Sequence, residues 1–436
     1  MVVFGVGFTK SQRLACDTSM TNAHLWGAIV MSRKNRLLDS NESDSFQASE
    51  LFFSRTDPRG VIRFTNETFR RISGYDWEAL RGAPHKIVRH PNMPRGLFHL
   101  LWEFLGKKLP VGGYVKNLSK DGTHYWVFAV MVPTDDGYLS VRLKPLGGKL
   151  NDIKRLYLQL RKRELEEDIT PEQSKVDLIS ALNDLGYNSY QHFMIRALSE
   201  EIAARSAALN IQPDSTLPSL LNMLDAVAEI EEHSQVVARI FEETKQIPHN
   251  MKLQAQRLEG REGPIGVISG NHQEMMRSLE EAVTNFSKAA HEGADHIGQV
   301  CIITSTTRLL SEVHANFNDE SVPDDIDKAA ELSRLVGLQR YSSDMLDTGL
   351  NDLTARTKRF YEMCRDIRRV MSGLEMTRIM CKIERSNLTV DADGLDESIV
   401  ELNRCETELS AVILKIEANV AFIQQAPIQK IRKLAA

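Results

Sequence analysis

Between Ile268 and Gly293, the residues Ile268, His272, Met275, Leu279, Ala282, Phe286, Ala289 and Gly293 follow one another in alternating steps of four and three. Such steps keep one mostly apolar stripe on one side of a helix, and that stripe must be buried against other helices. Leu217, Leu220, Leu224 and Val227 repeat the spacing upstream, where Pro218 is tolerated near a helix start. From Lys149 onward aromatics are few, so the chain reads as an all-α bundle of helical hairpins. Breaks are expected at Pro248, at Glu259–Pro264, at Asn318–Asp325 and at Thr389–Gly394.

These breaks give a helical linker at 147–200, a hairpin at 201–318 and a C-terminal hairpin or bundle at 326–436. Met251–Leu258 and Cys381–Leu388 are alike enough to form a weak internal repeat, which duplication and chance explain equally well. The stripe suits an intramolecular core and a dimeric coiled coil alike. A homodimer is the expected assembly.

Residues 48–146 have a different character. They hold 7 of the 16 Phe and three of the four Trp, with turn signals at short intervals. Leu51–Thr56 and Val61–Thr65 read as a hairpin across Asp57-Pro-Arg-Gly60. Short helical pieces follow up to about Phe104. Val111–Leu118, His124–Val132 and Tyr138–Lys144 read as three more strands, the first two joined by Ser119-Lys-Asp-Gly-Thr. Two strands, short helices and three strands in about 100 residues imply an α+β domain on an antiparallel sheet. Residues 1–47 show no period and read as a flexible lead segment.

Charge separates the same regions. The whole chain is net −5, yet residues 51–146 carry 15 Lys and Arg against 8 Asp and Glu. The basic segment is the better host for an anionic ligand. Within it, Pro84–Pro94 packs His85, Lys86, Arg89 and His90 into six residues, with prolines that stiffen the loop. Phe98 and Trp102 are four apart and share a helix face, while Asn117 and Trp126 fall on neighbouring strands. An aromatic pocket with a few fixed donors suits a flat heteroaromatic ring with a phosphate tail. A packed core with a basic rim accounts for the same residues equally well.

Other chemistry is missing from the sequence. It contains no GxxxxGK[ST], HExxH, GxSxG or kinase signature, so no enzyme is expected. Five widely spaced cysteines without a CxxC fit a reducing cytosol. The bundle histidines are not spaced as metal pairs. An acidic bundle without a basic recognition helix argues against nucleic acid. No apolar run is long enough for a transmembrane helix, so a cytoplasmic chain is expected.

Phe53-Ser-Arg-Thr-Asp57, Gly60-Val-Ile, Asn66-Glu-Thr-Phe69 and Ser73-Gly-Tyr75 resemble the start of a PAS sensor domain. Gly82–Pro94, Trp102, Val115–Gly122 and Tyr125-Trp-Val127 are similar to the PAS domain of bacterial aerotaxis receptors, in order, over about residues 50–146. The resemblance implies non-covalent FAD, a flavin redox state that reports oxygen or cellular energy, and flavin contacts from Asn66, Arg89, His90, Asn92, Phe98, Trp102 and Asn117. One departure is Asn92, where the family commonly has Asp. Thr244–Ser269 resembles a degenerate chemoreceptor signalling hairpin, which implies a chemotaxis coupling protein or histidine kinase as partner. The reading is a signal-transduction sensor for redox or oxygen. Other PAS domains leave two alternatives: haem ligated by His90, or a cofactor-free scaffold for protein assembly.

Overall fold

The computed structural model describes residues 37–38, 40–43, 46–212, 216–259, 263–322, 326–388 and 393–425. It divides into two compact units, residues 1–212 with 312–333, and residues 213–311 with 334–436.

The first unit is built on five antiparallel strands: β1 (Leu51–Thr56), β2 (Ile62–Thr65), β3 (Val111–Leu118), β4 (His124–Thr134) and β5 (Gly137–Leu143). Their order is β2-β1-β5-β4-β3. The first and last strands of the segment thus meet at the centre, with Phe52 opposite Arg142 and Ser54 opposite Ser140. Val61 falls outside β2 and instead bridges Pro84. The interior strands are buried on both faces, which explains their near-continuous apolar character.

Side chains alternate between the faces. One face carries Phe52, Ser54 and Thr56 of β1, and Tyr138, Ser140 and Arg142 of β5. It is covered by α1 (Glu67–Ser73), α2 (Trp77–Leu80), a 3-10 turn (His85–Val88) and α3 (Arg95–Gly106). The other face is covered by α4 (Leu150–Glu166), α6 (Tyr190–Ala208) and part of residues 312–333, with α5 (Pro171–Asp184) between α4 and α6 in the chain. Trp126 packs on Tyr157 of α4, and Tyr114 packs on Phe193 of α6. Phe317 is buried against Phe53 and Phe64, with ring centroids 5.4 and 5.3 Å apart. Glu201 of α6 is fully buried and accepts from the Tyr114 hydroxyl at 2.6 Å and from the Leu146 and Gly147 amides.

Much of the expected lead segment lies outside the described residues. Within it, Phe46 is buried against Phe52. The backbone of Leu38 makes two bonds to the Asn92 side chain, at 2.7 and 2.8 Å. These residues are fixed to the sheet domain.

The second unit is all helical: α7 (Thr216–Thr244), α8 (Ile247–Glu259), α9 (Pro264–Asp319) up to Ser311, α10 (Lys328–Asn387) from Arg334, and α11 (Asp393–Gln425). Helix α11 packs along α7 and α8. At one end Ile247, Met251, Ala255, Ile265, Ile268, Cys381, Leu395, Ile399 and Leu402 form one apolar cluster, flanked by Leu258 and Leu388. The two segments of the internal repeat therefore enter the same core. The expected stripe on α9 is buried at Ile268, His272, Leu279, Phe286 and Gly293, but the intervening positions shift by one, to Met276, Val283 and Ala290. The turns expected at Glu259–Pro264 and Thr389–Gly394 lie mostly outside the described residues.

Candidate cofactor cavity

On the face that carries Ser140 and Arg142, the sheet and α3 enclose a cavity of about 280 Å³. Each wall has a local cause. The β1–β2 turn is drawn tight by Asp57, whose carboxylate accepts from the Arg59 and Val61 amides at 2.9 and 3.0 Å. Those bonds hold the Asp57 carboxyl below its usual range. Gly60 completes the turn with φ +75°, and a Cβ there would lie 3.4 Å from the Trp102 ring. The turn thus delivers Thr56, Arg59 and Gly60 to the rim beside Trp102.

The second wall is the stiff loop Pro84–Pro94. Arg89 forms a bridge with Asn117 of β3, and the His90 amide donates to Lys116 O at 3.2 Å. The loop therefore adds to the sheet edge and brings His85, Lys86 and Arg89 to the cavity. The Arg89 guanidinium lies 3.4 Å above the Phe98 ring centre. Burial, with repulsion from Arg161, lowers its pKa to about 10, so it stays charged at neutral pH.

Helix α3 supplies Phe98, Leu101, Trp102 and Leu105 on one face. Its first turn is anchored by Glu164 of α4, which is fully buried and accepts from the Arg95 and Gly96 amides at 2.6 and 3.2 Å. A carboxylate at a helix N-terminus satisfies free amides and meets the positive end of the dipole. Trp102 is 46% exposed and stands at the mouth, in edge contact with Tyr138.

The floor comes from the strands: Val115 and Asn117 of β3, Ala129 and Met131 of β4, and Ser140 and Arg142 of β5. Asn117 Nδ2 and Ser140 Oγ are buried and have no hydrogen-bond partner within the described chain. Unpartnered buried polar atoms are costly. Both atoms belong to residues that line this cavity. Arg142 is buried as well, donating to Ser54 Oγ at 3.1 Å and to His85 Nε2 at 2.5 Å. Burial lowers its pKa to about 10.

Four of the seven residues singled out in the sequence, Arg89, Phe98, Trp102 and Asn117, line this cavity. The other three do not. Asn66 caps α1, accepting from the Phe53 and Phe69 amides and donating to Leu51 O and to Glu320. Asn92 holds Leu38. His90 is buried with both ring nitrogens engaged: Nδ1 accepts the Asn92 amide at 3.1 Å, so Nε2 bears the proton toward Ser40 Oγ at 3.0 Å. That leaves it no lone pair for a haem iron, and among the described residues no His, Cys, Asp and Glu cluster could hold a metal ion. Trp126 neighbours Asn117 in strand order but lies on the opposite face, because Asn117 pairs with Tyr125 and Lys116 with Trp126. Sequence reasoning missed Ser140 and Arg142. Their period-two spacing on the last strand was the available signal.

The sheet order, the short helices on one face and the cavity between them define a PAS domain. A family model described as PAS fold matches residues 62–140. The aerotaxis receptor of Escherichia coli (strain K12) is 40% identical over 112 residues, 24% of this chain and 22% of the receptor. The chain thus spans about a fifth of the length of the curated relative it matches. Among solved structures, a PAS domain of a Colwellia psychrerythraea protein is 21% identical with a TM-score of 0.21, covering 22% of this chain and 85% of its own. The LOV domain of a blue-light-activated histidine kinase of Erythrobacter litoralis is 18% identical with a TM-score of 0.19, covering 21% and 90%. Among the described residues no helix is long and apolar enough to cross a membrane.

Proposed function

We propose that this chain is a signalling sensor whose PAS domain holds FAD and responds to redox state or oxygen. The reading rests chiefly on Asn117 Nδ2 and Ser140 Oγ, two orphaned polar atoms in a cavity that also has a tryptophan at its mouth. Phe98 and Trp102 would flank the flavin ring, and Asn117 and Ser140 would bond its polar edge. Arg59, Lys86 and Arg89 would meet the phosphates at the rim. When bound, the flavin supplies a ring whose charge and hydrogen bonding change on reduction. The likeness to a protein named aerotaxis receptor agrees with this reading.

The signal would leave through the helices on the far face. Trp126 touches Tyr157 of α4, and Glu164 of α4 holds the helix that bears Phe98 and Trp102. A pocket that prefers one flavin state by about 1–3 kcal/mol shifts a coupled equilibrium roughly 5- to 150-fold. The output partner would be a chemotaxis coupling protein or a histidine kinase, engaged by a homodimer. Full-length protein from flavin-replete cells should be yellow, and its absorption should bleach on reduction. Colourless protein that rejects added FAD would overturn the reading and leave an assembly scaffold.

A further inference from the structure

Arg142 is a buried cation whose neighbours are all neutral. It lies 4% exposed beneath the cavity, with the rings of Phe52 and Phe69 5.5 and 5.3 Å from its guanidinium carbon. Its hydrogen bonds go to a hydroxyl and an imidazole. A guanidinium can only donate, so His85 Nε2 must accept and that ring is neutral. Burial, with Arg142 beside it, presses the His85 pKa well below its usual value, in agreement. Among the described residues no carboxylate pairs with Arg142, whereas Glu331 pairs Arg55, Glu312 pairs Arg205 and Glu164 pairs Arg161. Arg89, in the cavity's loop wall, is stacked on the Phe98 ring instead. Arg142 lies at the cavity floor, and its neighbours in the lining include the orphaned donors of Ser140 and Asn117.

A buried charge is tolerated when a counter-charge reaches it. From this placement we infer that Arg142 reads the charge of the cavity's ligand, receiving its electron-rich edge and holding the anionic form more tightly than the neutral form. The inference rests on the flavin reading above. Oxidised flavin is neutral at its ring. Taking up two electrons from a reductant in solution and one proton, it becomes an anion with the charge centred on N1 and the adjacent carbonyl. That edge is the one Arg142 would face. The same residue would therefore raise the reduction potential of bound flavin, and it makes the ligand class acceptor-edged or anionic rather than merely apolar.

The test uses the full chain loaded with FAD and its Arg142→Gln and Arg142→Lys variants, each checked for folding by circular dichroism. Affinity for oxidised FAD and the midpoint potential of the bound flavin are measured above pH 7.5, where the reduced ring is anionic. Arg142→Gln should lower the potential, with affinity for reduced FAD falling at least tenfold more than for oxidised FAD. A tenfold difference equals about 30 mV for a two-electron couple. Arg142→Lys should recover most of the shift. Equal losses in both states, with unchanged potential, would sink the inference while sparing the flavin reading. Wild-type protein that binds FAD in neither state would sink both. Should Arg142→Gln fail to fold, the wild-type potential decides: it must lie above that of free FAD, and a lower value overturns the inference.

Discussion

Asn66 and Glu320 meet through a side-chain hydrogen bond, Asn66 Nδ2 donating to Glu320 Oε1 at 2.9 Å while the neighbouring Glu67 amide donates to Oε2 at 3.1 Å. Residues 254 positions apart thus share the N-terminus of α1. Burial raises the Glu320 pKa despite these donors. Asn66→Ala removes a helix cap, about 1 kcal/mol, and strands the Phe53 amide and Leu51 carbonyl. A total loss of roughly 2–4 kcal/mol is expected in urea unfolding. A change below about 0.5 kcal/mol would mean that these groups find other partners.

Asn66→Asp tests the same contact by charge. It keeps the Oδ1 acceptor for both amides but replaces the Nδ2 donor with a carboxylate oxygen set against the raised carboxyl of Glu320. The variant should be destabilised at pH 7 and should recover as pH falls toward 5, because protonating either group restores a donor. Thermal melts at the two pH values measure this. A deficit equal at both would rule out charge repulsion as its cause.

Acid should weaken the sheet domain through its buried histidines. The His90 pKa is lowered to about 3, chiefly by burial and then by Lys116, and those of His85 and His124 are also lowered. The unfolded chain takes protons near 6.5, so between there and about 3 it binds more protons than the folded chain. Stability is therefore complete above pH 6.5 and declines as pH falls, by at most about 1.4 kcal/mol per unit for each group. His90→Gln should flatten this slope in urea titrations at pH 4.5, 5.5 and 7. An unchanged slope would assign the acid sensitivity to other groups.

The sequence made the sheet domain legible because turn residues, aromatic density and period-two strands all agree from Leu51 onward. It left adjacent apolar pairs unresolved. At Met275-Met276, Ala282-Val283 and Ala289-Ala290 a one-residue slip costs nothing in pattern, and packing chose the second member each time. Phe98 and Trp102 share a helix face that their spacing of four made readable, and Arg89 and Asn117 reach the same cavity from the loop and from β3. Asn66, His90 and Asn92 could not be separated from them by pattern, since their partners Glu320, Ser40 and Leu38 lie far away in sequence. Ser140 and Arg142 look in sequence like any alternating polar positions of a strand. Only the pairing of β5 between β1 and β4 buries them.

Glu164 offers a way to disturb the cavity without touching it. Its Oε1 accepts from the Arg95 amide and from Ser174 Oγ, each at 2.6 Å, and its Oε2 accepts from Arg161 at 2.8 Å. Arg161 in turn donates to Pro91 O in the loop that carries Arg89. Next to this anchor, a Cβ on Gly96 would lie 2.4 Å from the Lys175 amide, so α3 and α5 meet without room for adjustment. Glu164→Gln keeps an acceptor for α3 but leaves Arg161 without its counter-charge, and a loss of roughly 1–3 kcal/mol is expected. Because α3 bears Phe98 and Trp102, FAD affinity should fall severalfold in a variant that never contacts the ligand. Gly96→Ala should do the same by pushing α3 away from α5. If both variants fold and bind FAD as tightly as the parent, α3 is positioned by the sheet alone, and α4 cannot take its signal from the cavity by this route.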